Sequence, residues 1–172
     1  RAEGELTLFH SEPGFAAAQA ECDTAYSGVS MRRTMAITGE YVVDIFDLRS
    51  DEEHTWDWLY HNYGGLEPQM ETMAHSDPLA QGVGYQHFTD IATAKPAGDW
   101  SGVFDLDDTE VVLPHLGADD TTVFFGMGIA GKPPEDCPMV VSRRAGKAAR
   151  YVSVIEPKDI GASARKVTEL DA

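Results

Sequence analysis

Positive charge is scarce in this chain. Lys and Arg total 13 against 29 Asp and Glu, which leaves a net charge of −16 and a sequence pI near 4.5. Nucleic acid and anionic membranes both need a basic footprint, so neither is expected as a partner. Cysteine is nearly absent, and Cys22 and Cys137 are too few for a disulfide framework. Cys22 in an apolar stretch and Cys137 beside Pro138 read as unpaired thiols, with one bridge as the alternative in an exported protein. No apolar run reaches the roughly 18 residues that span a bilayer. An initiator Met and an apolar leader are also missing, since the chain opens Arg1-Ala2-Glu3-Gly4-Glu5. Its 172 residues fit one domain, residues 1–172, and are 42% hydrophobic, an ordinary value for a packed core. Because Ala164–Leu170 reads as the start of another element, the domain is expected to be part of a longer chain.

Helical periodicity is nearly lacking too. What recurs are short runs of Val, Thr, Tyr, Phe and Trp, broken by Gly, Pro, Asp and Ser. Strands are predicted at 6–9, 15–21, 29–37, 41–48, 54–61, 84–90, 102–106, 111–116, 121–127, 139–144, 149–156 and 164–169. Turn signals separate them at Thr38-Gly39-Glu40, Arg49-Ser50-Asp51, Gly117-Ala118-Asp119-Asp120 and Ala145-Gly146-Lys147. Many short strands without intervening helices predict an all-β, antiparallel sandwich of two stacked sheets. Asn62–Val83 departs from the rhythm: Gly64-Gly65, Pro68, Pro78 and two methionines read as a long loop, a common place for function.

The segment His54-Thr55-Trp56-Asp57-Trp58-Leu59-Tyr60-His61 carries the densest chemistry. A strand period of two puts His54, Trp56, Trp58 and Tyr60 on one face, and Thr55, Asp57, Leu59 and His61 on the other. Turned outward, the aromatic ladder would stack on a sugar chain, with His54 and His61 flanking it. Turned inward, it is core. The six histidines show no tight ligand spacing, and His54 and His61 point to opposite faces, so no metal is expected in this chain. Gly126-Met127-Gly128-Ile129-Ala130-Gly131 matches a dinucleotide-type glycine pattern, but Lys132-Pro133-Pro134 follows where a helix would have to start. A glycine-rich loop is the better reading. Arg143, Arg144, Lys147 and Arg150 form the densest basic cluster, on an expected hairpin. Such a cluster suits a carboxylate or sulfate, or simply a solvated hairpin paired with nearby acids. Arg32 and Arg33 fall on opposite faces of their strand. No serine nucleophile elbow or Cys/His pairing stands out, so no catalytic residue is assigned.

Three stretches in order resemble the C-terminal β-sheet region of heparinase II/III-like polysaccharide lyases. They are Arg33-Thr34-Met35-Ala36 leading into Tyr41-Val42-Val43-Asp44-Ile45-Phe46, the His54–His61 segment, and Tyr151-Val152-Ser153-Val154-Ile155-Glu156-Pro157. The resemblance implies a parent protein with a helical toroid and a β-sandwich, acting on uronic-acid-containing polysaccharide by β-elimination. It implies a Tyr and a His as base and acid, and a structural metal, zinc or calcium, held by His and Asp. In that family these groups come from the toroid and the first sandwich strands, with a His-x-Asp-like element and a His-Asn-Thr segment. Neither is found here, and His61-Asn62-Tyr63 is only an echo in the wrong place. The implied role is therefore a non-catalytic sandwich supporting the catalytic domain, in a periplasmic or secreted protein. Its partners would be the N-terminal domain of the same protein and, through that parent, an acidic polysaccharide or oligosaccharide. The alternative is a stand-alone carbohydrate-binding sandwich with His54, Trp56, Trp58, Tyr60 and His61 as its sugar contacts. Exposure of at least two of those rings would mark the alternative; an uncovered apolar patch at one edge would mark missing partner strands.

Overall fold

The computed structural model describes residues 2–82, 84–132, 134–159, 165, 167 and 168. Eleven strands follow one another: β1 (Glu5–Glu12), β2 (Phe15–Cys22), β3 (Val29–Thr38), β4 (Val42–His61), β5 (Gly65–Pro68), β6 (Met73–Ala74), β7 (Thr89–Ala94), β8 (Trp100–Leu106), β9 (Thr109–His115), β10 (Thr122–Ala130) and β11 (Glu135–Lys158). Among the described residues one 3-10 turn, Tyr85–His87, lies between β6 and β7. Every ladder is antiparallel. The all-β architecture is as the alternation of short apolar runs foretells.

The 24-residue β11 organises the sheet. Along one edge it pairs with β4 from Met139↔His61 to Ile155↔Val42. Along the other it pairs first with β10 and then, from Ser153 onward, with β9. The sheet therefore runs β1-β2-β3-β4-β11-β10-β7-β6, and β9-β8-β5 branch off the far half of β11. One buried cluster joins side chains from both branches. Trp56 and Trp58 of β4, Phe104 of β8, Leu113 of β9, Val123 and Phe125 of β10, and Val140 and Tyr151 of β11 pack together. The two layers are thus made by one hydrogen-bonded sheet whose strands change partners, a common way to turn a sandwich corner. A smaller cluster of Leu79, Phe88, Phe124 and Val141 lies on the opposite face of β10 and β11.

Several expected boundaries move. The strands expected at 41–48 and 54–61 merge into one, β4, which starts at Val42, and those at 139–144 and 149–156 into another, β11. The turn signals at Arg49–Asp51 and Ala145–Lys147 face each other across the ladder. Gly146 pairs with His54 and Ala148 with Arg49, so Ser50 to Glu53 bulge out opposite Lys147. A bulge absorbs the turn residues without ending the pairing, and Gly146 supplies a φ of 135° for it. Within the long loop, β5 pairs with β8 and β6 with β7. The strand expected at 84–90 is a 3-10 turn followed by β7. The strand expected at 164–169 lies mostly outside the described residues.

Candidate functional site

Building from β4, the parity of the aromatic segment holds and its direction is inward. Trp56 and Trp58 are 6% and 1% exposed. Their polar atoms are committed within the fold: Trp56 Nε1 donates to the Gly146 carbonyl at 2.8 Å, and Trp58 Nε1 to Asp44 Oδ2 at 2.9 Å. Tyr60 is half-buried, stacks on Trp58 at 6.0 Å and meets the Phe104 ring edge at 5.4 Å. Burial pushes its phenol pKa up. His54 is half-buried over Trp56 at 4.9 Å, with Nε2 3.0 Å from Ser50 Oγ. His61 is exposed on the opposite face. Trp56 and Trp58, the two central rings of the expected sugar-stacking ladder, are core, because the β8 and β9 branch closes over them, while His54 and Tyr60 stay partly accessible at their flanks.

The basic cluster is also dispersed, since β11 is a strand rather than a hairpin there. Arg143 holds Asp57 with both Nε and Nη2 at 2.7 Å, and donates Nη1 to the Leu79 carbonyl at 2.8 Å. The Tyr85 hydroxyl donates to the same carboxylate, so the 3-10 turn and the Leu79 loop are clamped onto the sheet. Burial first, and then Asp57, push Tyr85 up to about 12. Arg144 is buried on the other face, donating to Thr121 Oγ1 at 2.9 Å and to the Leu116 carbonyl at 3.0 Å, above the Tyr151 ring. Arg150 pairs with Asp47 at 3.3 Å, shared with Arg32 at 3.1 Å. Lys147 lies instead at the bulge, beside an open concavity of about 590 Å³ that also contains Arg49, Asp23 and Asp51. Cations and carboxylates alternate around it, so the four basic residues make no single anion cradle.

The glycine motif has a packing explanation. Gly126 and Gly128 are inside β10, where a Cβ would stand 2.7 Å from the Thr89 carbonyl oxygen and 1.7 Å from Met139 Sδ. Close approach of β7 and β11 leaves no room for side chains there, and among the described residues β11, not a helix, follows. Both cysteines are free thiols. Among the described residues, no group of three or more His, Cys, Asp or Glu side chains is placed to hold a metal ion.

Two features escape the sequence reading. The first is a buried polar row. Asp44, 1% exposed, receives Arg33 Nε at 2.9 Å and Nη2 at 2.6 Å as well as the Trp58 indole. Beside it lie buried Ser153 and His115, the latter ringed by Trp58, Trp100 and Tyr151. Burial first, and Arg144 second, depress His115 to about 3, so its imidazole is neutral. The second is an exposed apolar face. Cross-strand partners share a side of a sheet. The row Phe9–Ala18–Met35–Asp44–Ser153–His115–Trp100 therefore runs across seven strands on one face. Its inner end is core, while Phe9 is 70% and Met35 41% exposed. A parallel row runs from Leu6, 62% exposed, through Ala20, Arg33 and Phe46 to fully buried Tyr151. Apolar alternation hints at this face in β3 alone, through Val29, Met31, Met35 and Ile37; in β1 a register shift between Leu6 and Leu8 breaks it, and β2 is a run of alanines.

With that geometry in view, comparison with solved structures identifies the class of fold. The heparan sulfate lyase of Pedobacter heparinus superposes with a TM-score of 0.65 and 11% identity, covering 94% of this chain and 22% of its own. A heparinase III gene product superposes with a TM-score of 0.64 and 15% identity, covering 91% of this chain and 22% of its own. This chain thus has the fold of one part of heparinase III structures and spans about a fifth of their length. No family model and no curated protein matches the sequence itself.

Proposed function

We propose that the chain is the β-sandwich portion of a heparinase II/III-like polysaccharide lyase, supporting a catalytic domain and itself non-catalytic. The observation that carries this reading is the likeness over nearly the whole chain to about a fifth of those enzymes. β-Elimination from a uronic acid needs a base that reaches the C5 proton and an acid at the departing oxygen. The His and Tyr side chains gathered in the core do not suit those tasks. His115 is fully buried, and the Tyr151 hydroxyl is spent on the Trp56 carbonyl at 2.8 Å, its pKa pushed up by burial. In this reading the base, the acid and any structural zinc or calcium belong to the rest of the parent. So does the cleft for the acidic polysaccharide, and the parent works in the periplasm or outside the cell. The burial of Trp56 and Trp58 speaks against the stand-alone carbohydrate-binding module.

The test is an elimination assay on the full product of the gene that encodes this chain. Ultraviolet absorbance of the new C4–C5 double bond is followed on heparan sulfate and on other uronic-acid polysaccharides. Product formation by the full protein, and none by residues 1–172, supports the reading. A full product that forms no unsaturated uronate on any of them contradicts it, as does activity in the 172-residue chain alone.

A further inference from the structure

The rows that cross β1 to β4 show a core face that stops being covered partway along. Tyr151, Ser153 and His115 on it are completely buried, whereas Leu6, Phe9, Met35 and Ile37 on the same side are 41–70% exposed. Ala16, Ala18 and Ala20 of β2 lie between them and keep the surface low. The reverse side of the same strands is more polar, with Glu5, Gln19, Glu21, Arg32 and Thr34, and its exposed apolar side chains Leu8 and Phe15 are set among them. Alternation of this kind belongs to a sheet packed on one face and wet on the other. Here the face patterned for packing is bare.

We propose that this β1–β3 face is the seat of a further β-layer from the same, longer polypeptide, extending the layer that β8 and β9 begin. The proposal rests on the reading of the chain as part of a lyase-like protein and names the surface by which that part is held. Three observations favour this occupant. The face is continuous with the core, so a covering layer would join the existing one edge to edge. The solved structures that share the fold have chains more than four times the length that this one matches. A second copy would bring another charge of −16 against the first, which opposes self-association. The one charged side chain in the middle of the face is already neutralised. Arg33 holds Asp44 and stacks on the Phe46 ring at 5.3 Å, so covering it strands no lone cation.

The experiment compares Phe9→Lys and Ile37→Lys in two settings, residues 1–172 alone and the full gene product, by thermal unfolding, sedimentation and amide hydrogen exchange. The isolated chain is expected to be a monomer whose melting temperature neither variant lowers. In the full product both variants lower it, and amides of β1 to β3 exchange roughly tenfold or more slowly than in the isolated chain. A concentration-dependent dimer of the isolated chain, dispersed by Phe9→Lys, makes the second copy the occupant and overturns the proposal. Variants silent in both settings overturn it, and so does a gene that encodes only this chain. None of these readouts uses elimination activity. An inactive full product with protected β1–β3 amides sinks the lyase reading alone, and an active one without protection sinks only this proposal.

Discussion

Residues decide what the aromatic segment is for. The sequence shows that His54, Trp56, Trp58 and Tyr60 share a face, because a strand has a period of two, but periodicity carries no sign for inside or outside. The indole N–H groups settle it: one is held by a backbone carbonyl and one by a buried carboxylate, so neither ring is free to turn outward. The carboxylate itself, Asp44, was legible only as a polar interruption of an apolar strand. Its three charged or indole contacts come from Arg33 and Trp58, 11 and 14 residues away. His115 was equally illegible, since burial of an imidazole among Trp58, Trp100 and Tyr151 is a tertiary fact. Its depressed pKa has a consequence for stability. The unfolded chain binds a proton at His115 below about pH 6.5, whereas the folded chain does so only near 3. The contribution of neutral His115 is therefore intact above pH 6.5 and is lost progressively as pH falls toward 3. Replacing it with Phe removes that proton and two buried nitrogens that lack a protein partner among the described residues. Urea unfolding is expected to give stability within about 1 kcal/mol of the parent at neutral pH, and a flatter decline between pH 6.5 and 3. An unchanged acid slope would show that the histidine is solvated in the folded state.

Elements explain where the reading of boundaries went astray. Gly, Ser and Asp punctuate residues 49–51 and 145–147 as strongly as any true turn, yet both stretches lie inside long strands. They face one another, so each supplies the irregularity the other needs, and the pair forms one bulge instead of two chain reversals. Such mutual compensation cannot be seen one segment at a time. The same bulge splits the basic cluster, because a continuous strand sends Arg143 and Arg144 to opposite faces where a hairpin tip would gather them. Gly146 has space around it, with the nearest atom to a hypothetical Cβ at 3.8 Å, but its φ is 135°. Gly146→Ala should therefore destabilise by about 1–3 kcal/mol through the backbone alone, measured by denaturant unfolding. Gly39→Ala, with open space and no positive φ, is the control and should stay within about 0.5 kcal/mol of the parent. Equal effects at the two sites would mean that the bulge does not depend on the glycine conformation.

At the scale of the whole molecule, all-β architecture was readable from the recurrence of apolar runs, and the lyase-like fold from three short stretches taken in order. The side of the sheet that stays bare was not. It emerges only when register places Phe9 and Met35 on the same row as His115 and Trp100. The molecule that results is acidic, keeps its tryptophans inside, and leaves the apolar face of β1 to β3 bare. The function proposed for it is accordingly support of a larger protein and not capture of a glycan by itself. Calorimetric titration of residues 1–172 with heparan sulfate oligosaccharides, with tryptophan fluorescence followed in parallel, tests this most directly. The account predicts no saturable heat and no change in emission. Saturable binding accompanied by a change in tryptophan emission would contradict it and restore the aromatic face of β4 as a carbohydrate site.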